Sequence, residues 1–237
     1  MKLYAVRYGK NFIYGTEGTV FRDAENANKR IEDFPFFYYL IEIRGKYFMI
    51  DTGFRDASLA AQMGVDLLAV EAELEKLFGG LLSIDTIIIT HSHWDHINNL
   101  DLYSPARIIM SKAASLIALE EGTDEVKRIL QERAVTLVED RLLVDGLFLF
   151  QVVGGHTPDS SVLFFEEKGK KYVITGDECY VQDNVYKNIP IGIAAAPDKN
   201  EEFVRFCHEK KYIPLPFHDR GILDKYERVS ENVVRIF

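Results

Sequence analysis

The segment that most restricts this chain is Thr90-His91-Ser92-His93-Trp94-Asp95-His96, which follows directly on the apolar run IDTIIIT at 84–90. A run so short and so rich in β-branched residues suits a buried strand. Imidazole nitrogens and carboxylate oxygens are natural ligands for zinc and similar divalent ions. In a tight loop after a strand, His91 and His93 can point the same way, while Asp95 and His96 face a second point nearby. One ion rarely takes four ligands from so short a segment, so the spacing predicts two adjacent ions.

Two ions need more ligands than this segment holds. The chain has six histidines, and His156, His208 and His218 remain. His156 lies in Gly154-Gly155-His156-Thr157-Pro158, a sharp turn after the strand-like LFLFQVV. His218 lies in Pro216-Phe217-His218-Asp219, after a strand expected over 211–217. Asp177 lies in Thr175-Gly176-Asp177, after KYVIT. Three ligand-type residues thus follow three strands, and function is expected on loops carried by a rigid sheet. His208 sits in a helical pattern beside Phe206 and Cys207 and reads as a structural or surface histidine.

The rest of the chain supplies the scaffold. Residues 36–50, FFYYLIEIRGKYFMI, read as a hairpin turning at Gly45 and running into Asp51-Thr52-Gly53. Leu67, Val70, Leu74, Leu77 and Phe78 recur at helical spacing, with Gly79-Gly80 ending the pattern. Helical patterns return over 112–133, broken near Gly122, and over 199–210. LFLFQVV, SVLFF and KYVIT are β segments, and the strand 211–217 is expected to be the last. Strands alternate with helices in both halves, which predicts a layered α/β protein of two packed sheets with helices outside. No repeat, linker or composition break divides the chain, so residues 1–237 are expected to form one domain.

Composition narrows the function classes. A formal charge of −9 disfavours nucleic-acid partners. Cys179 and Cys207 form no ligand pair or disulfide framework, as expected of reduced thiols in the cytoplasm. No run approaches the ~18 apolar residues of a membrane helix. Charge interrupts the N-terminus before any signal-like stretch. A cytoplasmic protein with no membrane partner is expected.

Together, Asp51, H-x-H-x-D-H at 91–96, Gly155-His156-Thr157-Pro158, Thr175-Gly176-Asp177 and His218 resemble the metallo-β-lactamase-fold superfamily of hydrolases, in its order and over most of the chain. The resemblance implies an α/β protein, an αββα four-layer sandwich with its site at one edge of the two sheets. It implies two divalent ions, zinc first, with iron, manganese or cobalt as alternatives. His91, His93 and His156 would bind one; Asp95, His96 and His218 the other; Asp177 would bridge both. Asp51 would hold the loop by hydrogen bonds. The implied nucleophile is a hydroxide bridging the two metals, with Asp95 able to orient the water or accept its proton.

Among the branches, the chain is most similar to the N-acyl homoserine lactonase-like hydrolases. Only nineteen residues follow His218, too few for the helical extension of glyoxalase-II-type thioesterases. Tyr180, three residues after Asp177, stands where those lactonases carry a tyrosine that hydrogen-bonds the substrate carbonyl, though it could simply pack. The implied activity is opening of a lactone or cleavage of a related ester, on a small-molecule substrate. The alternatives are phosphodiester hydrolysis at the same centre, a mononuclear-iron dioxygenase, and a non-enzymatic metal-binding module. Ile97-Asn98-Asn99 and Asp159-Ser160-Ser161 depart from the lactonase pattern, so the resemblance leaves the substrate open. Trp94 could line the pocket or pack the loop, and Cys179 reads as a buried, inert thiol.

Overall fold

A dense aromatic and β-branched run fits a pleated, buried sheet better than a helix, and the hairpin forms where the turn chemistry allows it. Arg44 and Gly45 both take positive φ, 52° and 76°, the backbone of a two-residue hairpin turn that a glycine makes easy. The computed structural model describes residues 1–11, 15–22, 30–31, 33–78, 83–103 and 105–237. Gly79 and Gly80, read as a helix stop, lie outside them.

Strands β1 (Lys2–Asn11), β2 (Phe34–Ile43), β3 (Lys46–Ile50), β4 (Val65–Leu67), β5 (Thr86–Ile88), β6 (Arg107–Ser111) and β7 (Val135–Val138) belong to a first sheet. A second sheet holds β8 (Arg141–Val144), β9 (Phe148–Val152), β10 (Ser161–Glu167), β11 (Lys170–Ile174) and β12 (Ile213–Leu215), in that order. The chain then returns to the first sheet with β13 (Glu227–Arg228) and β14 (Val233–Arg235). The first sheet runs β13-β14-β1-β2-β3-β5-β6-β7, with β4 also paired to β1. Its β3, β5, β6 and β7 are parallel, so their C-terminal ends open on one edge.

Alternation along each strand sorts side chains into layers. Leu3, Phe37, Tyr39, Phe48, Ile50 and Ile88 face Phe148, Phe150, Leu163, Ile174 and Leu215 in one inter-sheet core. Tyr4, Val6, Tyr38 and Met49 face outward beneath helices. These are α1 (Ala57–Met63), α2 (Glu71–Phe78), α3 (Trp94–Ile97), α4 (Lys112–Glu121) and α5 (Asp124–Glu132). The outer face of the second sheet, with Val162, Phe164 and Val173, is covered by Phe203, Val204 and Cys207 of α6 (Pro197–Glu209). The result is the αββα sandwich. Among the described residues no helix is long and apolar enough to cross a membrane.

Two expectations change. Leu67 is not helical: it ends β4, paired with Gly9 of β1, and α2 begins only at Glu71. The spacing of Leu67, Val70 and Leu74 fits a helix, but backbone pairing with β1 takes the first of them. The strand expected over 211–217 shortens to Ile213–Leu215 and is not the last, because β13 and β14 follow it. The helical stretch 112–133 breaks at Gly122 as expected, into two helices each started by a hydroxyl cap: Ser111 accepts from Ala114 N–H, and Thr123 from Val126 N–H.

Candidate functional site

Each candidate ligand follows a strand end on the same edge of the sandwich. His91 to His96 occupy the loop and short helix α3 after β5 of the first sheet. His156, Asp177 and His218 follow β9, β11 and β12 of the second. All are buried except His93, which is exposed. His96 packs against Phe217 of the inter-sheet core, ring centroids 5.1 Å apart, so the site caps one rim of that core.

The donors form two groups. His91 Nε2 lies 3.0 Å from His93 Nδ1, and His156 Nε2 lies 3.2 Å from the same atom. Asp177 Oδ2 closes this group, 3.9 Å from His91 Nε2 and 3.6 Å from His156 Nε2. In the second group, Asp95 Oδ2 is 3.5 Å from His96 Nε2 and 3.7 Å from His218 Nε2. Asp177 Oδ1 is 3.4 Å from both of those nitrogens. Four ligands placed tetrahedrally 2.0–2.1 Å from a zinc ion stand about 3.3 Å from one another. Both groups match that spacing and share Asp177, one oxygen each. His96 Nε2 and Asp177 Oδ1 are buried without a hydrogen bond, a costly condition for polar atoms unless an ion takes them up. The donor set therefore fits two divalent cations.

The surroundings fix which ring nitrogens carry hydrogen. His218 Nδ1 is 2.8 Å from the Pro35 carbonyl, which can only accept, so Nδ1 donates and Nε2 is the nitrogen turned towards the donor group. His96 Nδ1 donates to Asp51 Oδ2 at 2.6 Å. Thr90 donates its backbone N–H and its hydroxyl to the two oxygens of Asp51, each at 2.7 Å. With its hydrogen so used, Thr90 Oγ1 accepts from His91 Nδ1 at 3.1 Å. Asp51 thus holds the loop by hydrogen bonds rather than standing among the donors, with φ at +58°. A partner behind each imidazole sets its tautomer and orientation. Phe34 stacks on His218 at 4.6 Å, with an 8° interplanar angle.

Charge states follow. Burial pushes Asp177 up, but His96 and His218 outweigh it and hold the carboxyl well below its usual range. Asp95 is likewise held low, His96 outweighing burial. Burial keeps His91 well below the ordinary imidazole value, and partial desolvation with the neighbouring His156 keeps His93 below it, so both offer neutral nitrogens. His96 differs. Burial favours its neutral form, but Asp95, Asp177 and Asp51 prevail and raise it. A cation taking Nε2 displaces a proton there.

Tyr180 stands beside this centre, its hydroxyl 3.4 Å from His156 Nδ1 and its ring packed near Phe34 and His218. Burial, then the charges of Asp177 and Asp95, raise the phenol well above its ordinary value. Trp94 packs edge-on against Phe54 at 4.5 Å and also lines a cavity of about 550 Å³ that opens beside His93. Leu59, Ile117 and Pro158 line it too, as do Glu121 and Asp159. Among the described residues no lysine or arginine does. Cys179 and Cys207 are free and buried, and burial raises both thiols. His208 lies apart, its Nδ1 on the Val185 carbonyl. Thr90, Pro35 and Glu178 escape a reading by residue type. Glu178 grips the backbone of the His156 turn, and no spacing signals it.

The family model described as "Metallo-beta-lactamase superfamily" matches residues 33–203. No curated protein sequence matches the chain. Among solved structures, one described as a quorum-quenching N-acyl homoserine lactone lactonase aligns with a TM-score of 0.77 at 20% identity, covering 98% of each chain. An N-acyl homoserine lactone hydrolase with N-hexanoyl-L-homoserine bound at its catalytic metal centre aligns at 0.76 and 18%, covering 96% of this chain and 97% of that one. AidC, described as a dizinc quorum-quenching lactonase, aligns at 0.64 and 15%, covering 99% and 93%. At these identities the likeness is one of fold.

Proposed function

Because the chain belongs to the metallo-beta-lactamase superfamily, we propose that it is a two-metal hydrolase that opens a lactone or cleaves a related carboxylic ester. The observation that carries the reading is the pair of donor groups sharing Asp177, set beside a cavity that Leu59, Trp94, Ile117 and Pro158 help line and that, among the described residues, no lysine or arginine lines. His91, His93, His156 and Asp177 hold one cation; Asp95, His96, His218 and Asp177 hold the other. Two divalent cations so held supply Lewis-acid activation of water and of the substrate carbonyl.

The side chains divide the remaining work. Asp95, kept ionised, accepts the proton of the attacking water at its carboxylate and returns it to the alkoxide oxygen that departs as the acyl C–O bond breaks. Tyr180 accepts from His156 Nδ1–H, which leaves its own hydrogen free for the oxyanion that forms on the carbonyl oxygen as water adds to the carbon. A neutral acyl substrate suits walls made by Leu59, Trp94, Ile117 and Pro158. A phosphodiester would bring its charge to a cavity lined by Glu121 and Asp159 and, among the described residues, by no lysine or arginine. The lactonase-type structures that share the fold support the same choice.

The test is proton release from an acyl homoserine lactone by the zinc-loaded chain, with Asp95→Asn as the control. Release by the wild type and none by the variant is expected. A chain that binds two zinc ions yet releases no proton from lactones or simple esters refutes the substrate class and leaves the metal centre standing.

A further inference from the structure

Glu178 follows Asp177 in sequence, and its side chain is fully buried. Its Oε1 accepts the backbone N–H groups of Gly155 at 2.8 Å and His156 at 2.9 Å, together with the Ser160 hydroxyl. Its Oε2 accepts from Asn200 Nδ2 at 2.7 Å. Asn200, also fully buried on α6, donates to the Glu178 carbonyl at 2.8 Å and accepts the Ile191 N–H at 3.0 Å. Every one of these donors to the carboxylate is neutral. The fit leaves no slack: a Cβ on Gly155 would run into Glu178 Oε2 and stand 2.9 Å from Asn200 Cα.

A carboxylate buried without a cation is costly even when its hydrogen bonds are complete. A turn that needed only acceptors could be held by neutral groups. What distinguishes this turn is that it carries His156, whose Nε2 meets His93 Nδ1 and Asp177 in the first donor group. We infer that Glu178 is a positioning residue for the first metal. It locks the Gly155-His156 backbone so that the imidazole completes that group, and its charge favours a divalent cation there over none. The inference rests on the two-metal reading above.

Glu178→Gln isolates the effect. The amide oxygen still accepts from Gly155 and His156, but its NH₂ now faces the NH₂ of Asn200. Asn200 cannot turn over without losing Ile191 and the Glu178 carbonyl. Shape is kept, while the charge and one hydrogen bond are lost. Zinc affinity is measured by competition with a chromophoric chelator for wild type, E178Q, H156A, H218A and the two double variants.

The wild type is expected to bind two ions, and E178Q to weaken one of them by roughly 10–100-fold. Added to H156A, E178Q should change little, because the site it supports is already broken. Added to H218A, it should weaken the one remaining ion by the same factor. Ser160→Ala, which removes a single donor to Oε1, should weaken the same ion by a smaller factor, and carries the test if E178Q fails to fold. Unchanged affinities, or both ions weakened equally, overturn the role. A wild type that binds no zinc overturns the two-metal reading instead.

Discussion

Tyr180 has one hydrogen to give, and its surroundings decide where it goes. The ring is held between Phe34, His156 and His218. Burial, with Asp177 and Asp95 nearby, keeps the phenol protonated. Tyr180→Phe should therefore lower kcat for a lactone by about tenfold or more, with KM little changed. Because the phenol does not ionise near neutrality, the deficit should be uniform from about pH 6 to about pH 9. Steady-state rates on both proteins check this, and an unchanged kcat/KM would return Tyr180 to packing. The seven donors are legible in sequence because histidine is scarce here and each donor stands just past a strand. Glu178 is not legible, being one of 37 acidic residues; only the folded turn brings its carboxylate to His156. Pro35 acts through its carbonyl, which no side-chain motif can announce.

Helix α2 shows how an element far from the site is held. Glu73 accepts from the Ser230 hydroxyl at 2.5 Å, from Asn232 N–H at 3.0 Å and from Asn232 Nδ2 at 2.8 Å, tying α2 to the segment before β14. Burial opposes the ionised form, but the Ser230 and Asn232 hydrogen bonds prevail, so the folded carboxyl titrates below its ordinary value. The stability it contributes is complete above that ordinary value and fades as pH falls through the lower, folded one. Glu73→Ala should cost about 2 kcal/mol near neutrality and less in acid. Urea unfolding at two pH values measures both, and an equal loss at each would refute the linkage. Elements were legible where aromatic and β-branched content agrees with turn chemistry, as in β2 and β3 around Arg44-Gly45. They were not where partners decide. Leu67 joins β1 against its own spacing, and β7 and β8 are edge strands whose Leu137 and Leu143 stay exposed, so no inside-and-outside pattern marks them.

At the scale of the molecule, cations bound by the folded chain alone must stabilise it. Each zinc ion at about a thousand times its dissociation constant contributes about 4 kcal/mol, so two contribute about 8 kcal/mol, a rise in Tm of roughly 16–32 °C for a chain of this size. Calorimetry of chelator-stripped and zinc-reloaded protein should show that rise; no rise would tell against the centre. Four donors ride on the first sheet and three on the second. A slip of one sheet over the other by half an ångström would leave every strand paired while spoiling the donor spacing. Residues such as Phe48 and Phe148, whose rings meet at 5.4 Å across the sheets, never approach the substrate, yet they set that register. Neutral drift in this core is therefore bounded by turnover well before it is bounded by unfolding, and variants that melt normally but no longer hydrolyse should map to the seam between the sheets.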